Sequence, residues 1–210
     1  MIRYVTEFIG TFFLVLTIGL VVMEEAPLAA LAIGSVLMAM VYMGGHVSGA
    51  HYNPAVSLAA VVAGKLERRE LAPYWAAQLS GAVAAALTDI AIVGRTFAPA
   101  PGPEISMLGM WLAELLFSFA LCLVVLATAM HAETKGNSYY GLAIGFIVLA
   151  GAIAVGPISG AAFNPAVGIG PILVHAAVNG GGLGDLPLYM VAPCLGGILA
   201  VFVSRAQKAA

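Results

Sequence analysis

Residues 48–55 read SGAHYNPA, and residues 159–166 read SGAAFNPA. Each copy interrupts a long uncharged stretch, and each leads into a short apolar segment, residues 54–63 and 165–174. A helix of about ten residues rises about 15 Å, half of the roughly 30 Å hydrocarbon core of a bilayer. A break that recurs at corresponding places in two halves of a chain indicates a site at the membrane midplane, built from two half-helices.

The composition excludes an ordinary soluble domain. Of the 210 residues, 62% are hydrophobic and 9% are charged, whereas a typical soluble domain carries about 25% charged residues. Uncharged stretches long enough to span a bilayer predict six transmembrane helices. The first of them lacks a small-residue cleavage site and is interpreted as a true helix, not a signal peptide. The predicted helices cover residues 4–23, 28–45, 71–93, 107–130, 139–156 and 187–204.

The chain divides into two similar halves. Glu7 lies early in the first helix, 46 residues before Asn53, and Glu114 lies early in the fourth helix, 50 residues before Asn164. Three spanning helices per half is an odd number, so the halves must cross the membrane in opposite directions. We therefore predict an all-α membrane protein with six transmembrane helices and two re-entrant half-helices. Residues 1–210 form a single integral domain, with inverted repeats at about 1–94 and 105–205.

The basic residues are sorted to one side of the predicted membrane. The opposite side holds only Arg95. Because cytoplasmic loops carry an excess of Lys and Arg, we expect both termini in the cytoplasm of a multi-pass protein in the cell (plasma or inner) membrane. The side that holds both termini carries Arg3, Lys65, Arg68, Arg69, Lys135, Arg205 and Lys208.

The Asn-Pro pairs suit the start of a helix. Asn is a strong N-cap, and Pro is favoured at the first helical position, where its missing N–H costs nothing. The side-chain NH2 of each capping Asn would remain free to point into a cavity. Each helix N-terminus carries about half a positive charge, so two termini that meet at the midplane repel cations. A plain helix start is the alternative, but two copies with the same lead-in argue against it.

Residues 45–56, GHVSGAHYNPAV, and residues 158–166, ISGAAFNPA, resemble the two signature loops of the aquaporin and aquaglyceroporin (major intrinsic protein) family. Glu7 and Glu114 match that family as well. The resemblance implies a passive channel, not an enzyme, for water and small uncharged solutes. It also implies a homotetramer in membrane lipid, with one pore per subunit and no nucleic-acid partner.

The resemblance places the pore centre at the two repeated tripeptides. Both Asn side chains would donate hydrogen bonds to the permeating molecule, and lead-in carbonyls would form a ladder of acceptors. We expect no cofactor and no metal, since Cys122 and Cys194 fall inside apolar segments without metal spacing. The pore-centre residues are Asn53, Pro54, Ala55, Asn164, Pro165 and Ala166.

The sequence departs from the family at one position that matters. In most members an Arg follows the second Asn-Pro-Ala and lines the outer constriction, whereas this chain has Val167. Distances from the motifs carry the other three constriction positions to Ile33, Ala152 and Ala161. The predicted constriction is wide, apolar and uncharged. The alternative is a facilitator mainly for glycerol, urea, hydrogen peroxide, ammonia or metalloid acids, with little role in water transport.

Glu7 and Glu114 are charged groups at membrane depth, each costing about 2.5–3.5 kcal/mol on insertion scales. The resemblance implies that they accept backbone N–H groups and brace the re-entrant loops, with a proton relay as the alternative. For His46 we expect a hydrogen bond to the loop backbone, with a pH gate as the alternative. We expect Asp89 at the membrane interface and His175 just beyond the second half-helix.

Three other classes compete with a channel. A serine hydrolase could use Ser48 with His46, but Ser159 has no His nearby in sequence and a nucleophile needs a base within reach. A coupled transporter also uses inverted repeats and broken helices, and would need Glu7 and Glu114 for ion coupling. A closed, purely structural junction protein would show no flux at all.

Overall fold

The structure is a computed structural model that describes residues 1–209, with side chains through residue 207. Within these residues every regular element is helical, and a single 3₁₀ turn, Arg68–Glu70, precedes the fourth helix. The helices are α1 (Ile2–Met23), α2 (Ala29–Ser48), α3 (Pro54–Val62), α4 (Leu71–Val93), α5 (Met107–Thr128), α6 (Tyr140–Ser159), α7 (Pro165–Asn179) and α8 (Leu186–Ala209).

Six of these helices, α1, α2, α4, α5, α6 and α8, are long and apolar enough to cross a membrane. This confirms the predicted number and order of transmembrane helices. However, α2 and α6 run on to Ser48 and Ser159, past their predicted ends at residues 45 and 156. The glycines and the proline near the predicted ends lie inside the helices and do not terminate them. Each stops instead at a left-handed glycine, Gly49 or Gly160.

The two shorter helices begin where the sequence predicts. α3 starts at Pro54 and has 9 residues, and α7 starts at Pro165 and has 15 residues. The end of α7 was predicted too early, because Pro171 lies inside the helix and does not terminate it. His175 is therefore part of α7 and does not follow it.

Glycines let the transmembrane helices approach closely. Gly34 of α2 and Gly145 of α6 lie against each other's carbonyl oxygen, so a Cβ on either would overlap the other. Gly81 of α4 meets the backbone of α1, and Gly196 of α8 meets the backbone of α5 in the same way. Close contact between small residues is the usual packing device in membranes. Here it gives the α1–α4 pair and the α5–α8 pair matching arrangements.

Asp89 lies in the interior of the bundle, so the prediction that it reaches the membrane interface is wrong. Its side chain is 0% exposed and faces Gly19 and Phe97. Neither carboxylate oxygen has a hydrogen-bond partner in the described part of the chain. The predicted helix also ends at residue 93, so the helix length was right; Asp89 is buried because its side chain points toward Gly19 of α1.

Candidate functional site

Two asparagines begin the short helices α3 and α7. The Asn53 side-chain oxygen accepts a hydrogen bond from the Ala55 N–H at 2.8 Å, and that of Asn164 accepts from the Ala166 N–H at 2.9 Å. Each following Pro occupies the first helical position. Both caps thus have the geometry that satisfies a free N–H at a helix start.

The same two asparagines join the re-entrant loops to each other. Asn53 Nδ2 donates to the Phe163 carbonyl at 2.9 Å, and Asn164 Nδ2 donates to the Tyr52 carbonyl at 2.9 Å. The sequence predicts a free side-chain NH2 on each asparagine, but in the structure one of its two hydrogens is donated to the opposite loop. Each NH2 therefore keeps one N–H. Both side chains line the central cavity of the bundle.

Glu7 braces the first loop from α1. Its Oε1 accepts hydrogen bonds from the Ser48 hydroxyl at 2.6 Å and the His51 N–H at 2.9 Å. Its Oε2 accepts from the Tyr52 N–H at 2.7 Å and the Gln78 amide at 2.8 Å. A carboxylate has about four lone-pair sites, so these four bonds use all of them.

Glu114 braces the second loop from α5 with the same pattern. Its Oε1 accepts from the Ser159 hydroxyl at 2.7 Å and the Ala162 N–H at 3.0 Å. Its Oε2 accepts from the Phe163 N–H at 2.7 Å. The side chain is 0% exposed, so these three donors take the place of water. The Ser48 and Ser159 hydroxyls thus donate to Glu7 and Glu114, and neither lies within hydrogen-bond distance of a histidine in the described part of the chain.

The backbones of the two re-entrant loops are strained, and their N–H groups and carbonyls have different surroundings. Ala50, Tyr52, Ala161 and Phe163 have positive φ angles of 48–51°, a left-handed conformation that costs an L-residue about 1–2 kcal/mol. The glutamates hold this conformation by binding the N–H groups on one side of each loop. The carbonyls of residues 49–51 and 160–162 accept no hydrogen bond within the described residues.

Two tyrosines hold the ends of the helices that precede the loops. The Tyr74 hydroxyl donates to the Ser48 carbonyl at 2.7 Å, and the Tyr189 hydroxyl donates to the Ser159 carbonyl at 2.5 Å. Both rings are buried, at 1% and 0% exposure. The two repeats therefore use the same tyrosine clamp from α4 and from α8.

We expect Tyr74→Phe and Tyr189→Phe each to lower the thermal stability of the purified protein. Each change removes one buried hydrogen bond, worth about 0.5–1.5 kcal/mol, and leaves a carbonyl unpaired. The loss should show as a lower melting temperature in detergent. Tyr139→Phe is the control, since this tyrosine is exposed and its hydroxyl makes no hydrogen bond within the described residues. Equal melting temperatures for all three variants would contradict a clamp.

A cavity of about 500 Å³ runs beside both asparagines. On α6 its wall extends from Ile144 to Gly156, about 18 Å at 1.5 Å per residue. The polar side chains on the wall are few and central: His51, Asn53 and Asn164, with the Tyr52 ring beside them. All four positions carried over as constriction residues line this cavity: Ile33, Ala152, Ala161 and Val167.

The two histidines near the first loop have different surroundings. His46 is exposed in the last turn of α2, and no hydrogen bond from its ring reaches another described residue. The structure thus shows no bracing contact for it. His51 is buried, lines the cavity, and places its Nδ1 3.0 Å from the Ser57 hydroxyl.

Sequence reasoning missed two contributors to the site. Gln78 is 0% exposed and donates to both Glu7 and the Ser57 hydroxyl. It could have been noticed as a polar residue in the middle of the apolar helix α4. The other contributor is the connector between α4 and α5, whose residues 97–100 line the cavity. Its Pro-rich composition indicated only a loop.

The fold and the paired loops can be compared with known proteins. The sequence model described as "Major intrinsic protein" matches residues 1–204. The chain belongs to the major intrinsic protein family. Members of this family are channels and not enzymes.

Two plant aquaporins are similar to this chain. Aquaporin NIP1-4 of Oryza sativa subsp. japonica is 38% identical over 177 residues, which cover 80% of this chain and 64% of the relative. Aquaporin NIP1-1 of Zea mays is 34% identical over 206 residues, which cover 93% of this chain and 71% of the relative. The chain therefore spans slightly less than two thirds of the rice protein's length.

A solved structure shares the whole fold. The X-ray structure of the aquaglyceroporin from Plasmodium falciparum superimposes with a TM-score of 0.85, covering 98% of this chain and 96% of that one. At 23% sequence identity this match establishes the fold. It confirms the prediction of six transmembrane helices with two re-entrant half-helices.

Proposed function

We propose that this member of the family is a passive pore for water and small uncharged solutes, with a wide and apolar constriction. The observation that carries the proposal is the set of side chains on the cavity wall. Ile33, Ala152, Ala161 and Val167 all line the cavity, and none of them is charged, aromatic or a hydrogen-bond donor. Such a wall places no fixed cation and no bulky ring at these positions, so solutes larger than water can pass.

The pore centre supplies hydrogen bonds of fixed direction. Each NH2 of Asn53 and Asn164 keeps one hydrogen beyond its bond to the opposite loop. The unpaired carbonyls of residues 49–51 and 160–162 supply acceptors on either side of the asparagines. A molecule at the centre therefore turns its oxygen toward the two donors, and a continuous proton wire is interrupted.

Ion exclusion rests on the short helices. α3 and α7 both begin at the centre of the fold, where their N-termini each carry about half a positive charge. Without a cation at Val167, these two termini carry the whole task of repelling protons and metal cations. The loss of a fixed cation widens the solute range while cation exclusion is retained at the centre.

A coupled transporter is the less favoured alternative. Ion coupling through these glutamates would need a carboxylate that binds and releases a cation or proton as the protein moves. Glu7 has all four acceptor sites engaged, and Glu114 has three engaged by groups that hold the second loop. Protonation of either would break the loop contacts, so both are better suited to a permanent structural role.

A facilitator for solutes with little water flux is the second candidate. The apolar wall favours it, because Leu, Ile, Val and Ala side chains offer no hydrogen bonds to a water file. Solutes such as glycerol and urea carry their own apolar surface or can span the distance between polar groups. The ratio of water to solute permeability separates the two candidates.

We further propose the assembly and orientation that the sequence predicts. Residues 1–210 would form a single channel domain with inverted repeats at about 1–94 and 105–205, and four copies would assemble as a homotetramer in the cell membrane. Both termini would be cytoplasmic, because seven of the eight basic residues lie on the side of the termini. The Lys208 side chain lies outside the described part of the chain.

The test is stopped-flow light scattering on proteoliposomes of the purified protein. We expect water efflux, glycerol uptake and urea uptake all to exceed those of empty liposomes, with no dependence on a proton or sodium gradient. Fast water flux without solute flux would contradict the wide constriction. Fast solute flux with water at the background rate would favour the facilitator. Flux driven by an ion gradient would favour the transporter, and no flux of any kind would favour a junction protein.

A further inference from the structure

The connector between α4 and α5, residues 94–106, crosses the face of the bundle opposite the termini and is fixed at two points. Near its start, the Thr96 hydroxyl lies 2.7 Å from His175 Nδ1 and accepts a hydrogen bond from the Asn179 amide at 2.5 Å. Farther on, the Gly102 N–H donates to the Ile158 carbonyl at 3.0 Å. The first point fixes the connector to α7 and the second fixes it to α6, so the intervening residues cannot swing freely.

Between these two points the connector forms part of the cavity wall. Phe97, Ala98, Pro99 and Ala100 all line the cavity. Ala100 also packs on the second loop, since a Cβ at Gly160 would lie 3.1 Å from the Ala100 nitrogen. The connector is therefore in contact with the loop that carries Ala161, one of the constriction positions.

Phe97 contributes the one bulky ring of this segment, and it is buried at 8% exposure. Its ring edge and the Asp89 carboxylate both approach Gly19 of α1 so closely that a Cβ at Gly19 would overlap them. The Phe97 ring and the Asp89 carboxylate therefore lie near each other on the same side of Gly19. The edge of an aromatic ring carries partial positive charge, so a carboxyl oxygen beside it is attracted to the edge.

We propose that Phe97 is a specificity-determining residue of this channel and sets the size of solute that enters from the face opposite the termini. The inference rests on the proposed function as a pore for small uncharged solutes. Where Val167 leaves the constriction wide, the Phe97 ring narrows the approach to it. Thr96, held by His175 and Asn179, fixes the backbone next to the ring.

The experiment compares variants of the connector in proteoliposomes. Permeability to water, urea, glycerol and erythritol is measured for the wild type, Phe97→Ala and Phe97→Trp. We expect the glycerol-to-water permeability ratio to rise about threefold or more in Phe97→Ala and to fall about threefold or more in Phe97→Trp, since one methylene in a pocket already changes selectivity by such factors. Erythritol, the largest solute, should show the greatest change.

Three further variants separate selectivity from damage to the fold. Glu104→Ala is the matched control, because Glu104 is exposed in the same connector and does not line the cavity. Its permeability ratios should equal those of the wild type. Thr96→Val keeps the shape of the side chain but removes its hydrogen bonds to α7, and should raise the ratio in the same direction as Phe97→Ala. If Phe97→Ala fails to fold, Phe97→Leu retains an apolar side chain against Gly19 and should give an intermediate increase.

The outcomes distinguish this inference from the proposed function. A wild-type protein that passes neither water nor solute above empty liposomes removes the proposed function, and the inference with it. A conducting wild type whose ratios are unchanged by Phe97→Ala, Phe97→Leu and Phe97→Trp overturns the inference alone and leaves the pore intact. Opposite shifts in the alanine and tryptophan variants support it, because damage to the fold would not change sign with side-chain size.

Discussion

Replacement of Glu114 by leucine is expected to prevent the protein from folding as a stable channel. The Glu114 carboxylate accepts hydrogen bonds from the Ser159 hydroxyl and from the N–H groups of Ala162 and Phe163. Each buried donor left without a partner costs about 1–3 kcal/mol. The total approaches a large part of the roughly 5–15 kcal/mol by which folded proteins are stable.

The strain in the second loop adds to this effect. Ala161 and Phe163 both have left-handed backbones, at φ 49° and 50°. Glu114 is the hydrogen-bond acceptor that holds the N–H groups of Ala162 and Phe163 in place. Once released, the loop would relax toward right-handed conformations. That movement would displace the Phe163 carbonyl, which accepts the hydrogen bond from Asn53. Loss of the second loop's conformation would therefore also disturb Asn53 in the first half of the chain.

The measurement is the yield, size-exclusion profile and melting temperature of the detergent-purified variant, followed by water flux in proteoliposomes. Ser118→Ala is a matched control, because Ser118 is 0% exposed on the same helix and its hydroxyl has no described partner. Glu7→Leu tests the first half of the chain in the same way. Its control is Thr11→Val, because Thr11 is 0% exposed on the same helix and its hydroxyl has no hydrogen-bond partner among the described residues. If Glu114→Leu were as stable and as permeable as Ser118→Ala, the carboxylate would not be required to hold the loop.

Glu114→Gln tests the same contact more finely. A glutamine oxygen can still accept from Ser159 and Ala162, but its NH2 would then face the Phe163 N–H, donor against donor. We expect a folded but less stable protein, between the wild type and the leucine variant. A proton relay would instead predict normal stability with altered proton leak, so the melting temperature distinguishes bracing from relay.

Much of this fold was predictable from local sequence. The Asn-Pro pairs fixed the first residues of α3 and α7, because capping and the proline at the first helical position act within one turn. The length of uncharged segments predicted the six spanning helices. Local rules failed at the ends of α2, α6 and α7, where Gly and Pro residues lie inside helices that neighbouring helices support.

The rest of the site depends on contacts between residues distant in sequence. The bond from Asn53 to Phe163 spans 110 residues and the one from Gln78 to Glu7 spans 71. Neither follows from helix periodicity, because each depends on how the helices pack. Asp89 is the clearest case, since its position near the end of α4 suggested an interface, whereas the absence of a side chain at Gly19 gives its carboxyl a buried place.

Val167→Arg is expected to convert the wide pore into a narrow one. Val167 is 4% exposed, lies in the first turn of α7, and lines the cavity with Ile33, Ala152 and Ala161. An arginine there would extend across the cavity and could donate to the unpaired carbonyls of residues 160–162. The long side chain would narrow the cavity and exclude larger solutes. Its guanidinium presents five N–H donors in a rigid plane, so water can still form hydrogen bonds as it passes.

Val167→Arg should change the permeability to solutes strongly and the permeability to water only slightly. We expect glycerol and urea permeability to fall about tenfold or more, corresponding to about 1.4 kcal/mol or more in the barrier, while water permeability changes by less. Stopped-flow measurements on one batch of proteoliposomes give all three rates. Val167→Met is the matched control, because it adds length and volume without charge or N–H donors.

The control decides what the arginine does. If Val167→Met excludes glycerol as strongly as Val167→Arg, the effect is steric, and any long side chain at this position closes the cavity to solutes. If only the arginine excludes glycerol while water continues to flow, the charge and its hydrogen bonds to the loop carbonyls set the filter. Unchanged solute flux in both variants would mean that position 167 does not lie at the narrowest point. In that case the size limit would be set elsewhere on the wall, with Phe97 the first residue to test.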